Sequence, residues 1–155
     1  MKVEKCSNES LINKYYPVDY EDTFSRELNG AKELTPDDFL NLTFSKYPKW
    51  INWLLSLRAK LVKPLGLKTE GRLSNLVQDS TPNEIIIGDV DKHLTFYCSL
   101  WSGPKEGDKQ VLRITTVVKY NNSIGRLYFF LIRPFHRIII YLLLKRSVKM
   151  ASNLK

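Results

Sequence analysis

The chain has 155 residues, 43% of them hydrophobic and 26% charged, with a formal net charge of +8. That length fits one domain able to bury roughly two-thirds of its unfolded surface, so neither a disulfide framework nor a metal is needed to hold it together. Its two cysteines, Cys6 and Cys98, do not make a disulfide scaffold, and the opening MKVEKCSNES has no apolar core of the secretory kind, so a reducing, cytoplasmic setting is expected.

Residues 1–16 are polar and are expected to form a flexible tail that becomes ordered near Pro17. YEDTFSREL, Tyr20 to Leu28, alternates as a strand: Tyr20, Asp22, Phe24, Arg26 and Leu28 share the inward face. Asp22 and Arg26 are then expected either to pair at the sheet margin or to form a polar patch in a pocket. Thr35-Pro36-Asp37-Asp38 starts a helix, with Thr35 as cap, Pro36 in the first turn and two carboxylates at the positive end of the dipole. A second helix is expected from about Pro48 to Val62, ended by Pro64 and Gly66.

From Leu73 the hydrophobic period changes to two. Strands are expected over Leu73–Asp79, Glu84–Val90, His93–Trp101 and Gln110–Tyr120, a meander with one dry and one wet face. Leu94, Phe96, Cys98 and Leu100 point inward on one of these strands, and Leu112, Ile114, Thr116 and Val118 on the next. Ser123 is read as the cap of a long helix reaching about Met150 and kinked at Pro134. Charge follows the elements: Lys119 to Lys155 carries eight basic and no acidic residues, a segment whose charge equals the net charge of the whole chain.

One strand, two helices, an antiparallel meander and a long helix make an α+β fold. The simplest cover for the meander's apolar face is the last helix. This is a helix-grip arrangement, a curved antiparallel sheet wrapped round a long C-terminal helix, with two helices inserted after the first strand. The domain is expected over residues 17–150, followed by a short tail at 151–155.

The segments VDYEDTFSREL, LRAKLVKPLGLK, DVDKHLTFYCSLW, TTVVKYNNSIGRLYF and RPFHRIIIYLLLKR resemble a bacterial family known as domain of unknown function 2867. The most specific parts are Gly125 to Arg137 and the DVDKHL stretch at Asp89 to Leu94. The resemblance implies a START-like (SRPBCC) helix-grip fold with a cavity between sheet and helix, and it implies no particular reaction.

The expected cavity has apolar walls at Phe24, Phe96, Ile114, Val118 and Phe130, with Phe135 nearby, and polar groups at Asp22, Arg133 and His136. An apolar pocket with a few polar groups is the default binding site, so the leading reading is a binder of a small apolar or amphipathic molecule. No His or Cys pair has metal-ligand spacing, and neither a glycine-rich phosphate loop nor a G-x-S-x-G turn is present. No metal, cofactor or catalytic set is therefore expected. Two other readings stay open. The apolar, basic C-terminal helix suits an anionic membrane surface, and His136 in the cavity suits acid–base chemistry in an enzyme of unstated reaction. Net charge alone does not argue for nucleic acid, and no recognition motif accompanies it. Tyr97, Trp101 and Val117 on the outer face suggest a homodimer contact.

Overall fold

The computed structural model describes residues 10–30, 32–44, 49, 53, 56 and 76–153. The alternating segments form five strands: β1 (Tyr20–Asn29), β2 (Val77–Thr81), β3 (Glu84–Val90), β4 (Leu94–Ser102) and β5 (Lys109–Tyr120). They make one antiparallel sheet in the order β1-β5-β4-β3-β2. The last four strands are the expected meander, and β1 lies outside it, paired along its whole length with β5. Two helices follow the periodic stripes, α1 (Pro36–Phe44) and α2 (Ser123–Ala151). The second inserted helix lies outside the described residues except for Lys49, Trp53 and Ser56, which are helical. So does the start of the strand expected from Leu73.

Thr35 caps α1 as its sequence requires, its hydroxyl accepting from Asp38 N at 3.2 Å. The cap of α2 is Asn122, one residue before the expected Ser123. Its backbone is extended and its side chain accepts from Gly125 N at 3.1 Å. The same side chain amide donates to the Lys92 carbonyl at 3.2 Å, so the residue that caps the helix also ties it to the β3–β4 turn. The helix runs unbroken through Pro134, which is exposed on the side away from the sheet.

α2 lies on the sheet face formed by Phe24, Leu28, Ile87, Leu100, Leu112 and Ile114, and buries Ile140, Leu143 and Leu144 against it. α1 closes the same cluster with Phe39, Leu40 and Phe44. A hydroxyl contact between Thr43 and Ser147, 3.0 Å and fully buried, joins the two helices. An antiparallel sheet gripping a long C-terminal helix is the helix-grip arrangement expected from the order of elements.

The other sheet face departs from expectation. Residues 10–16, expected in a flexible tail, form a 3₁₀ turn over Leu11–Tyr15 that packs on this face. Ile12 is fully buried with Ile86 and Val117, and Tyr15 stacks on Tyr97 with ring centroids 3.9 Å apart. The expected wet face is therefore partly dry, and the turn covers part of the expected dimer patch: Val117 is inaccessible and Tyr97 lies under Tyr15, while Trp101 stays partly exposed. The turn is pinned by Glu84, a buried carboxylate that accepts from Ser10 Oγ at 2.6 Å, from Leu11 N at 2.8 Å and from Ser99 Oγ. A hydrophobic position in a polar stretch has no periodicity to reveal it, so the sequence around Ile12 gives no sign of its burial.

Candidate functional site

The core between sheet and α2 is divided. One apolar cluster contains Phe24, Ile114, Leu100 and Ile140; the other contains Val118, Leu94, Phe129 and Ile132, with Tyr20 and Phe96 against it. Three of the elements, β1, β5 and α2, change cluster at a polar residue. On β1 it is Asp22, between Tyr20 and Phe24; on β5 it is Thr116, between Ile114 and Val118; on α2 it is His136, between Ile132 and Ile140. Strand register makes Asp22 and Thr116 direct neighbours, and Thr116 in turn faces Cys98 on β4. A polar layer thus crosses the core at one level.

Asp22 is 2% exposed. Its Oδ2 accepts from the Tyr20 hydroxyl at 2.6 Å, while its Oδ1 lies 3.8 Å from His136 Nε2. That separation is within ion-pair range for an imidazolium but too long for a hydrogen bond. Asp22 Oδ1, Thr116 Oγ1, His136 Nε2 and Arg137 Nε are buried atoms without a hydrogen-bond partner. A buried polar group left unpaired costs about 1–3 kcal/mol, and native cores leave few of them. Among the described residues six such atoms occur, and all but those of Ser102 and Arg113 belong to these side chains, so most of them gather at or beside the layer.

Aromatic rings frame the layer. Tyr20 lies 4.7 Å from Phe129, and Arg133 stands over the Tyr20 ring at 5.1 Å from its centroid. Burial pushes the Tyr20 hydroxyl well above the ordinary phenol range and its bond to Asp22 adds to the effect, so Tyr20 stays a proton donor to the carboxylate. Arg26 is engaged elsewhere. It donates to the Tyr141 hydroxyl at 3.0 Å and lies over that ring, so the pairing expected with Asp22 is replaced by one with the helix.

Burial pushes the Cys98 thiol up to about 12. The Thr116 hydroxyl beside it favours the thiolate, although the two make no hydrogen bond of ordinary geometry. In a Cys6→Ser variant, thiol reagents at about pH 8 are expected to leave Cys98 untouched in the native protein and to label it fully in denaturant, because the thiolate is the reacting species. Stoichiometric labelling of the native form within minutes would show the layer to be open at β4.

Of the expected site residues, Asp22, Phe24, Ile114 and Val118 are buried on the inner face, and Phe96 and His136 are partly buried there. Phe130 is not a wall. It is 71% exposed on the far side of α2, and Phe135, 42% exposed, also turns out. Apolar residues fall on more than one side of the helix in this stretch, so spacing alone does not choose which of them face the sheet. Arg133 is exposed at the margin, against Tyr20. Tyr20 and Thr116 were missed as site residues, although polar residues at inward strand positions were the signal that found Asp22. Among the described residues no three His, Cys, Asp or Glu side chains are grouped to hold a metal ion.

The architecture is that of a helix-grip domain whose core carries a buried polar layer. The chain belongs to the family described as protein of unknown function DUF2867, whose model matches residues 15–143. No curated protein matches it. Among solved structures, norcoclaurine synthase from Thalictrum flavum in complex with dopamine and hydroxybenzaldehyde aligns over 100% of this chain and 99% of its own, with 11% identity and a TM-score of 0.40. Likeness at that level transfers neither ligand nor activity.

Proposed function

We propose that the protein binds a small amphipathic molecule between the sheet and α2. Its polar end meets Asp22, Thr116 and His136, and its apolar body lies against Phe24, Phe96, Ile114 and Val118. The observation that supports this reading is the polar layer itself: a carboxylate oxygen, a hydroxyl and an imidazole nitrogen, all buried and none satisfied. Together they offer an acceptor and two groups that can donate or accept, which suits a ligand hydroxyl or amine. Apolar walls with a few convergent polar groups are the usual composition of a small-molecule site.

Native mass spectrometry of the protein as purified from cells tests this directly. A stoichiometric adduct is expected, identified after extraction, and lost in Asp22→Asn and His136→Gln. Thr116→Val is expected to lose the adduct yet raise the stability of the ligand-free protein by about 1 kcal/mol, since it removes an unpaired buried hydroxyl. An adduct-free mass together with a Thr116→Val variant that is less stable would mean the layer is a packed structural feature, and would sink the proposal. The approach of His136 to Asp22 favours a second reading, in which the imidazole moves a proton on the bound molecule. A His136→Gln protein that keeps its ligand unchanged but loses turnover would distinguish it.

A further inference from the structure

The outward face of α2 has no role in the core or the polar layer. Ile124, Leu127, Phe130, Leu131, Phe135 and Ile138 are between 42% and 71% exposed. At helical spacing they form one continuous apolar stripe along the first four turns. Soluble monomers rarely expose apolar patches of this extent without a use for them. Exposed Arg126 and Arg133 run along one edge of the stripe, and exposed Lys145 and Lys149 extend its line toward the C-terminus.

The helix satisfies the length and composition of a membrane span, with a mean hydropathy of 1.6 over its most apolar window. It does not have two free faces, however. Ile140, Leu143 and Leu144 are at most 6% exposed and belong to the sheet-facing core. Spanning would tear α2 from the sheet and draw Arg133, His136 and Arg137 into hydrocarbon. Lying flat costs neither: the inner face stays on the sheet and only the outer stripe leaves water. A second copy of the chain fits less well, because the segment from Lys119 to Lys155 contains no acidic residue to oppose its own basic edge.

We propose that this face docks the protein onto an anionic bilayer, α2 lying in the interfacial plane with Phe130 and its neighbours inserted and the basic edge on the headgroups. The proposal is independent of the small-molecule site, whose residues lie on the opposite face of the helix.

The test is co-sedimentation of the full chain with vesicles of phosphatidylcholine, with and without phosphatidylserine. Binding is expected only to the anionic vesicles and is expected to weaken as salt rises, since headgroup attraction is screened. Phe130→Glu and the pair Lys145→Glu with Lys149→Glu are each expected to reduce binding about tenfold or more. The melting temperature of Phe130→Glu should be unchanged, because that side chain is exposed, and that of the lysine pair should fall only slightly, because Lys149 lies in the last turn of α2 where a positive charge suits the helix dipole. Equal binding to neutral vesicles, no binding to either kind, or binding unaffected by Phe130→Glu would each overturn the proposal. So would a stable dimer in solution that Phe130→Glu converts to monomer, which would assign the face to a second copy.

Discussion

Gly125→Ala is expected to destabilise the protein by about 3 kcal/mol, at the upper end of the cost of overpacking. A Cβ at this position would lie 1.8 Å from the His93 carbonyl oxygen and 2.7 Å from its carbon. Both obstacles are backbone, so no rotamer change relieves the clash. The His93 carbonyl also accepts from Asn121 N at 3.0 Å, so moving it away breaks the bond that precedes the Asn122 cap. Alanine would otherwise favour a helix by about 1 kcal/mol over glycine, which makes the sign of the result informative: sterics must outweigh propensity. At roughly 2–4 °C per kcal/mol for a domain of this size, the melting temperature should fall by about 10 °C. Gly30→Ala is the control. Its nearest obstacle is Ser152 Cα at an ordinary 3.9 Å, and its melting temperature should barely move. A Gly125→Ala protein as stable as that control would mean that α2 and the β3–β4 turn approach less closely than described.

Glu84→Ala should cost a comparable amount, about 3 kcal/mol or more, by a different route. The carboxylate is 3% exposed and serves as acceptor for the Ser10 hydroxyl, the Leu11 amide and the Ser99 hydroxyl. Hydrogen bonds to a charged group contribute about 1.5–3 kcal/mol each, and truncation leaves the Ser99 hydroxyl buried without its acceptor. The Leu11–Tyr15 turn would lose its anchor, and Ile12, Ile86 and Val117 would meet water. Hydrogen exchange should report this before global unfolding does, with amides of residues 11–16 losing protection while those of β5 at Ile114–Val118 keep theirs. Lys14, which also reaches from the turn to Asp79 at 2.6 Å, cannot replace Glu84. That pair is largely in water, where ion pairs contribute little. Protection of the turn unchanged in Glu84→Ala would show that apolar packing alone holds it.

Much of this architecture was legible in the chain. Periodicity marked β1, β3, β4 and β5 and the two helices, and Thr35-Pro36 marked the start of α1. Inward parity on β1 singled out Asp22. The misreadings have specific physical sources. Asn122 and Ser123 are both good capping residues, so the sequence does not distinguish them as the cap of α2. Asn122 takes the position because its amide also reaches the Lys92 carbonyl across the β3–β4 turn. Proximity on one strand makes Asp22 the local candidate partner of Arg26, whereas Tyr141, far along the chain, offers it both a ring and a hydroxyl.

By itself the sequence determined what is local and periodic: which segments are strands or helices, which strand residues share a face, and that the positive charge collects on the last helix. Tertiary structure decided what depends on partners distant in the chain. Asp22 and Thr116 could each be assigned to an inner face, but only the β1–β5 register sets them side by side, and only the seating of α2 brings His136 to them. The stretch from Ile124 to Ile138 has apolar residues on two sides of the helix, so its periodicity does not distinguish a buried side from an exposed one. Contact with the sheet made that choice, burying Phe129 and leaving Phe130 in water.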